Sequence, residues 1–287
     1  MVKNIKEFAD YVYEAVRNIL DDSYSVEVLH DCRYEGGYTL VITTSDNREV
    51  GISMEAFYKD HTQNMAAFDD VVSNILHEAE KYLNRIKMED VIRHNYALAK
   101  EKIVGCLINT DKNRELLKII AHREYMDLSL VYIVEVRDGA DGYGIRVTEN
   151  MLREWGISES RLFLQMKENL KKMKTVVNSL GNILGVGAAE PIYVAFNADF
   201  RYGSVQMLNE DTLNKVSMKL GGSFYILPSS INELIFTAYD SAECESDPVK
   251  LAELVKDVNL TVVPDDEILS DHVYFYDHET ENITIAA

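Results

Sequence analysis

The sequence predicts an α+β protein in which small antiparallel sheets pack against helices. Three observations support this prediction: apolar residues recur at helical spacing, short strand-like runs alternate with turn residues, and 47% of the 287 residues are hydrophobic. A chain of this length and composition buries a core, and it is long enough for one large domain or two ordinary ones.

Residues 1–87 are predicted to form a helix, three strands and a second helix. Apolar residues recur at helical spacing from Ile5 to Ile19, and Asp21-Asp22-Ser23 then breaks the pattern. Turn signals at Glu35-Gly36-Gly37 and Ser45-Asp46-Asn47 separate three strand-like runs, at 25–30, 38–43 and 49–53. We expect a helix over about 67–85 to cover one face of this antiparallel meander.

Residues 88–122 are mixed and charged, and they are interpreted as a segment that joins two units. Within them, Thr110-Asp111-Lys112-Asn113 resembles the start of a helix. Residues 123–287 are predicted to form a C-terminal α+β domain.

The C-terminal domain is predicted to contain a similar order of elements twice. A strand over 128–136 and a return strand over 144–147 precede helices that Thr148 and Ser158 cap. Strands over 192–197 and 204–208 then precede a helix over 211–220. Two readings stay open, a pair of related hairpin-plus-helix units or two instances of a common arrangement.

The stretch Leu227–Glu233 is predicted to lead from a strand into a helix. Ser230 and Glu233 have the spacing of a capping box, in which hydroxyl and carboxylate satisfy early helix amides. Two alternatives stay open: the helix start also binds an anion or small polar ligand, or Ser229 or Ser230 acts as a nucleophile. Further on, Asp247-Pro248 predicts the start of one more helix, and strand-like pieces follow in the tail.

The charge of the chain argues against several classes of partner. With 29 basic and 48 acidic residues the net charge is −19, which repels polyphosphates and anionic membrane surfaces. The N-terminus has no apolar signal region, and no run approaches the roughly 20 apolar residues of a membrane span. We therefore expect a cytoplasmic protein that binds neither nucleic acid nor membranes, and we expect Cys32, Cys106 and Cys244 to be reduced thiols.

Motifs of familiar enzymes, such as a phosphate-binding loop or paired zinc histidines, are absent from the sequence. His122-Arg123 and Asp271-His272 place an imidazole beside charged residues, and the favoured interpretation of each is structural. The spacing of His272 and His278 matches no compact pair of metal ligands. We predict no metal and no cofactor, and the absence of these motifs favours a protein without catalytic activity.

Five blocks of sequence resemble a family of uncharacterised bacterial proteins that is catalogued only as a domain of unknown function. The resemblance spans nearly the whole chain, and the blocks are Leu107–Leu117, His122–Leu128, Val147–Gly156, Tyr225–Glu233 and Leu269–Tyr274. It implies a bacterial cytoplasmic protein that acts as an accessory factor, and it brings no activity, cofactor or active site.

The favoured functional hypothesis is an interaction protein without catalytic activity, whose acidic surface and tyrosine-bearing sheets bind another protein. The alternative is a small-ligand-binding protein or an undocumented enzyme whose pocket gathers residues from three distant segments: His122, Arg123, Ser229, Ser230, Asp271 and His272. A weaker alternative is an acidic mimic of nucleic acid that binds a basic partner.

Overall fold

The structure, a computed structural model, describes residues 2, 4–30, 37–138, 141–185, 192–239 and 247–287. The chain divides into two units, Met1–Arg93 and His94–Ala287. Each unit has hydrophobic clusters of its own. The domain boundaries expected at residues 87 and 122 stay a prediction.

The first unit has the predicted order of helix, three strands and helix, and it contains one further helix that the sequence analysis missed. Its elements are α1 (Ile5–Ile19), β1 (Tyr24–His30), β2 (Tyr38–Thr44), β3 (Glu49–Ser53), α2 (Met54–Gln63) and α3 (Phe68–His94). The strands form the predicted antiparallel meander in the order β1-β2-β3. The missed helix, α2, begins directly after β3.

One face of this meander carries the core of the first unit. Leu40 and Ile42 on β2 share that face with their cross-strand partners, Ile52 and Val50 on β3. Apolar side chains of the two long helices pack into the same cluster, with Phe8, Val12 and Val16 from α1 and Val71, Val72, Ile75, Ala79 and Leu83 from α3. The apolar residues at helical spacing in α1 and α3 therefore form the buried face of each helix, as expected.

The second unit contains two sheets. Its first elements are α4 (Tyr96–Ala99), a 3-10 turn (Lys100–Lys102), β4 (Ile103–Asn109), α5 (Arg114–Leu117), β5 (His122–Tyr125), β6 (Leu128–Asp138), β7 (Asp141–Arg146), α6 (Glu149–Trp155) and α7 (Glu159–Lys172). The long strand β6 organises the first sheet, because β4 pairs along one edge and β5 and β7 share the other. The sequence analysis missed β4, since it treated residues 88–122 as a joining segment.

The second sheet has six strands in the order β13-β12-β10-β11-β9-β8, all antiparallel. Its elements are β8 (Thr175–Ser179), α8 (Leu180–Leu184), β9 (Ile192–Asn197), a 3-10 helix (Gly203–Leu208), α9 (Glu210–Leu220), β10 (Phe224–Ser230), β11 (Glu233–Ala238), α10 (Pro248–Thr261), β12 (Tyr274–Asp277) and β13 (Asn282–Ile285). The fold class is therefore α+β, as predicted.

The helix caps predicted at Thr148, Ser158 and Asp247 are confirmed. Thr148 accepts a hydrogen bond from the Met151 amide, Ser158 from that of Arg161, and Asp247 from that of Val249. Gly156 ends α6 with φ of 66°, a left-handed conformation that glycine adopts without steric cost. These caps depend on residues within four positions of each other, which is why the sequence reveals them.

Residues 204–208 are not the predicted strand but part of the 3-10 helix Gly203–Leu208. Residues 203–207 are all buried, whereas a strand would alternate its side chains between two faces. Ser204 accepts from the Leu107 amide and donates to the Leu107 carbonyl, and Gln206 donates to Asn197. The second hairpin of the proposed repeat is therefore absent, since β9 has no return strand at 204–208.

Some sequence predictions fall outside the described residues. The turn residues Glu35 and Gly36 lie there, as do Cys32 and Cys244. Cys106 is buried, and burial raises the pKa of its thiol to about 12. Within the part of the chain that the structure describes, no helix is long and apolar enough to cross a bilayer.

Candidate functional site

The tight turn between β5 and β6 presents Asp127. Tyr125 pairs with Leu128, so Met126 and Asp127 form a two-residue connection. Met126 has φ of 56°, in the left-handed region that residues other than glycine seldom adopt. The turn leaves the carboxylate of Asp127 partly buried.

Three side chains from a distant segment bind this carboxylate. The Ser270 hydroxyl donates to Oδ2 of Asp127 at 2.7 Å, and Nδ1 of His272 lies 3.1 Å from the same oxygen. The Tyr274 hydroxyl donates to Oδ1 at 2.8 Å. We call Asp127, Ser270, His272 and Tyr274 the Asp127 cluster.

Hydrogen bonding favours the ionised form of Asp127. Burial alone raises the pKa of this carboxyl, but the hydrogen bonds from Ser270, Tyr274 and His272 together hold it below its usual value. Burial also raises the pKa of the Tyr274 hydroxyl, and the neighbouring Asp127 charge acts in the same direction. Tyr274 therefore remains a hydrogen-bond donor to the carboxylate across the physiological range.

His272 is the exposed member of the Asp127 cluster. Its side chain is 47% exposed, whereas Ser270 and Tyr274 are fully buried. The carboxylate at Nδ1 favours the tautomer with a proton on Nδ1, which makes Nε2 an acceptor. Ser270 contacts the same Nδ1, so the cluster lacks the arrangement of a serine nucleophile, in which the hydroxyl lies at Nε2.

Asp271 belongs to a different feature, a groove of about 550 Å³ beside the C-terminal end of α10. Its Oδ1 accepts a hydrogen bond from Asn259 at 2.8 Å. The groove walls carry charges of both signs, from Lys112, Lys256 and Asp265 as well as Asp271. This mixed lining favours no single class of ligand.

His122 and Arg123, on β5, contact neighbours of other kinds. Nδ1 of His122 lies 3.1 Å from the Ile120 carbonyl oxygen. Arg123 forms a two-pronged ion pair with Glu159 at 2.9 and 2.8 Å, and its guanidinium lies 4.0 Å from the centre of the Phe163 ring. The Tyr132 hydroxyl donates to the same carboxylate. These contacts join two strands of the first sheet to the first turn of α7.

Ser229 and Ser230 lie in a β-hairpin, so the predicted capping box and helix start are wrong. β10 ends at Ser230 and β11 begins at Glu233, its register partner. Ser229 donates to the Glu233 carboxylate at 2.9 Å, and Ser230 accepts from the Asn232 amide at 3.1 Å. The alternative of an anion at free helix amides fails as well, because no helix begins here.

The six predicted residues contact different neighbours, and a pocket common to all six stays a prediction. Among the contacts of the described residues, none joins His122, Arg123, Ser229 or Ser230 to Asp271 or His272. The sequence analysis missed Asp127, although this residue lies within the block His122–Leu128. An acidic residue between two strand-like runs was the available signal, but the sequence does not show that this turn meets Ser270 and His272.

A second candidate site is a groove of about 560 Å³ in the first unit. Four consecutive residues of β3, 50–53, line it together with side chains of α2 and α3. One edge of β3 pairs with β2, and among the described strands nothing pairs with the other edge. The groove follows this second edge, which we call the free edge of β3. We call it the β3 groove, and its helical wall consists of Ala56, Phe57, Asp60, Asn74, His77, Glu78 and Tyr82.

The backbone of Gly51 points into the β3 groove. The Thr44 amide donates to the Arg48 carbonyl at the end of the β2–β3 hairpin. Bonded and non-bonded pairs alternate along an antiparallel ladder, so Val50 and Ile52 bond to β2 and Gly51 does not. The N–H and C=O of Gly51 are therefore directed away from β2, on the side where the groove lies.

The helical wall of the β3 groove combines aromatic and acidic side chains. Phe57 and Tyr82 supply apolar surface, and Tyr82 is 45% exposed. Asp60 on α2 and Glu78 on α3 supply carboxylates. No Lys or Arg occurs among the described residues that line the groove.

Comparisons with known proteins place the chain in a family. No curated protein and no solved structure matches it. A family model, described as a family of unknown function (DUF5688), matches residues 5–278. This match covers nearly the whole chain and agrees with the resemblance of the five sequence blocks. The chain therefore belongs to the DUF5688 family of unknown function.

Proposed function

We propose that the protein is an interaction protein without catalytic activity that binds an extended segment of a partner protein along the free edge of β3. The observation that carries this proposal is the direction of the Gly51 backbone, whose N–H and C=O have no partner among the described residues and border the groove. In strand addition, such backbone groups supply affinity and the adjoining pockets select side chains.

The side chains of the β3 groove must supply most of the affinity. Two backbone hydrogen bonds to Gly51 contribute about 1–3 kcal/mol in total. A micromolar complex needs about 8 kcal/mol. Burial of apolar surface against Phe57 and Tyr82 provides the main additional contribution, since aromatic side chains dominate the energetics of interfaces.

Site-specific cross-linking tests the proposed function. A photoreactive amino acid in place of His77 is expected to capture a partner in cells through the β3 groove. Gly51→Pro removes the edge donor without removing a ladder bond to β2, and Tyr82→Ala removes an aromatic wall. We expect both changes to abolish the cross-link.

Tyr11→Ala is the matched control for the cross-linking experiment, because Tyr11 is 53% exposed on α1 and does not line the groove. This variant should cross-link as the parent does. Circular dichroism melting curves verify that each variant is folded. A cross-link that survives both Gly51→Pro and Tyr82→Ala would contradict binding at this edge.

We also propose that the protein works in the bacterial cytoplasm. The acidic composition and the family resemblance support this location. Cell fractionation with an antibody against the native chain tests it, and enrichment in the membrane or secreted fraction would contradict it.

A second candidate function is the binding of a small polar ligand at His272. The observation that favours it is the orientation of this half-exposed imidazole by Asp127. A ligand specific to the native state raises the thermal midpoint by mass action. In a panel of metabolites, nucleotides and divalent ions, we expect any true hit to disappear in His272→Ala and to persist in His94→Ala, whose histidine is also exposed.

A further inference from the structure

We infer that the segment bound in the β3 groove is basic, with Lys or Arg at alternate positions of an extended chain. This inference rests on the proposed strand addition at β3, and it specifies the chemistry of the partner. It follows from the geometry of the added strand and from the charges of the groove wall.

Strand geometry decides which side chains of the partner enter the groove. Successive side chains of a strand point to opposite faces, and cross-strand partners share a face. Val50 and Ile52 point to the face that the helices cover. The partner residues opposite Val50 and Ile52 therefore point between α2 and α3, and the residue opposite Gly51 points to the other face.

The helical wall matches long basic side chains. Lys and Arg have apolar stems and a charged end, so that a stem can lie on Phe57 or Tyr82 while the charged end reaches a carboxylate. Asp60 on α2 and Glu78 on α3 provide one carboxylate on each helix. Asp60 accepts a hydrogen bond from the uncharged side-chain amide of Asn64 at 2.8 Å.

The same charges disfavour other occupants. A second copy of the chain paired through β3 would bring two sets of Asp60 and Glu78 close together, and like charges at short range oppose association. The net charge of −19 also repels a polyanion. A basic segment, in contrast, gains from the field of the whole protein as well as from the two carboxylates.

Three fluorescent nine-residue peptides test this inference with the intact chain. All share a threonine and valine frame, and they carry Lys, Gln or Glu at the alternate positions that enter the groove. Fluorescence polarisation should show that the Lys peptide binds at least about tenfold more tightly than the Gln peptide, and that the Glu peptide does not bind. Raising the salt concentration should weaken the binding of the Lys peptide and leave that of the Gln peptide unchanged, because salt screens the attraction between charges.

Paired variants assign the preference to the groove wall. In Asp60→Asn/Glu78→Gln the advantage of the Lys peptide should fall to within about twofold of the Gln peptide. Glu55→Gln/Glu80→Gln is the matched control, since it neutralises one exposed carboxylate on each of the same helices outside the groove lining. The control should keep the full preference.

The outcomes separate this inference from the proposed function. Suppose that all three peptides bind equally well and that Gly51→Pro abolishes this binding. This result would overturn the inference of a basic partner and would still support strand addition at β3. A cross-link that depends on Gly51, with no binding of the Lys peptide, would overturn the basic partner in the same way. Self-association that Gly51→Pro removes would identify a second copy as the occupant and overturn the inference.

Discussion

At the scale of single residues, Asp127 shows how a carboxylate is held in its charged form. Burial raises the pKa of this carboxyl, but the hydrogen bonds from Ser270, Tyr274 and His272 lower it by more. These donors come from a segment more than 140 positions away in the sequence. The cluster thereby ties the β5–β6 turn to the segment that leads into β12.

We predict that Asp127→Asn destabilises the protein by about 1–3 kcal/mol at neutral pH, because charge-assisted hydrogen bonds to Ser270 and Tyr274 are lost or weakened. The folded-state pKa of Asp127 lies below its unfolded value. The stabilisation is therefore fully present above the unfolded pKa of about 4 and disappears as the pH falls through the folded pKa.

Urea denaturation of the parent and Asp127→Asn at neutral and acidic pH measures this difference. The gap in unfolding free energy should be largest near neutrality and should shrink below about pH 4. Asp265→Asn is the control, because the Asp265 side chain is fully exposed. A gap that stays constant with pH would refute the assigned role of the carboxylate charge.

At the scale of elements, the β10–β11 hairpin and the 3-10 helix Gly203–Leu208 depend on each other. The Tyr202 amide donates to the Asn232 side chain, and the Ser204 amide donates to the Ile231 carbonyl. A side chain at position 203 would collide with the Asn232 carbonyl oxygen. The contact of the hairpin with this helix therefore requires glycine at position 203.

We predict that Gly203→Ala destabilises the protein by about 3 kcal/mol or more, since the new methyl group meets backbone that has no rotamer to change. Gly156→Ala is the comparison, because Gly156 has positive φ but open space around it. Its cost should be about 1–2 kcal/mol, the penalty of the left-handed conformation. Urea denaturation measures the free energy of unfolding of both variants. An equal loss of stability in the two would contradict the collision expected at position 203.

At the scale of the whole molecule, each of the two units has hydrophobic clusters of its own among the described residues. The cluster of the first unit is built from α1, α3 and one face of the meander, and the described residues of this cluster all lie before position 93. The clusters of the second unit are built from residues after position 103. Local stability is therefore expected to differ between the units.

We predict that Phe8→Ala destabilises the first unit by about 3–5 kcal/mol, because Phe8 is fully buried in its core. Hydrogen exchange followed by mass spectrometry should show faster exchange in α1, β2 and α3. Exchange in β6 and β10 should stay unchanged. A uniform increase in exchange across both units would contradict the placement of Phe8 in a core that belongs to the first unit.

Much of the fold was predictable because many elements depend on nearby residues. The helices α1, α6, α7, α9 and α10 and most strands lie where periodicity and caps predicted them. The candidate site was less predictable, since Ser-x-x-Glu at Ser230 and Glu233 fits a capping box as well as a hairpin. The pairing of β11 with β9, which brings Glu233 opposite Phe196, decides between the two in favour of the hairpin.

The sequence by itself determined the α+β class, the caps, the acidic charge and, through its blocks, the family. These features arise from composition and from residues a few positions apart, where the physics is local. Only the tertiary structure decided that Asp127 meets Ser270 and His272, that residues 204–208 form a helix, and that Gly51 faces an open groove. Each of these depends on contacts between distant segments, and the free energy of such contacts outweighs local preference.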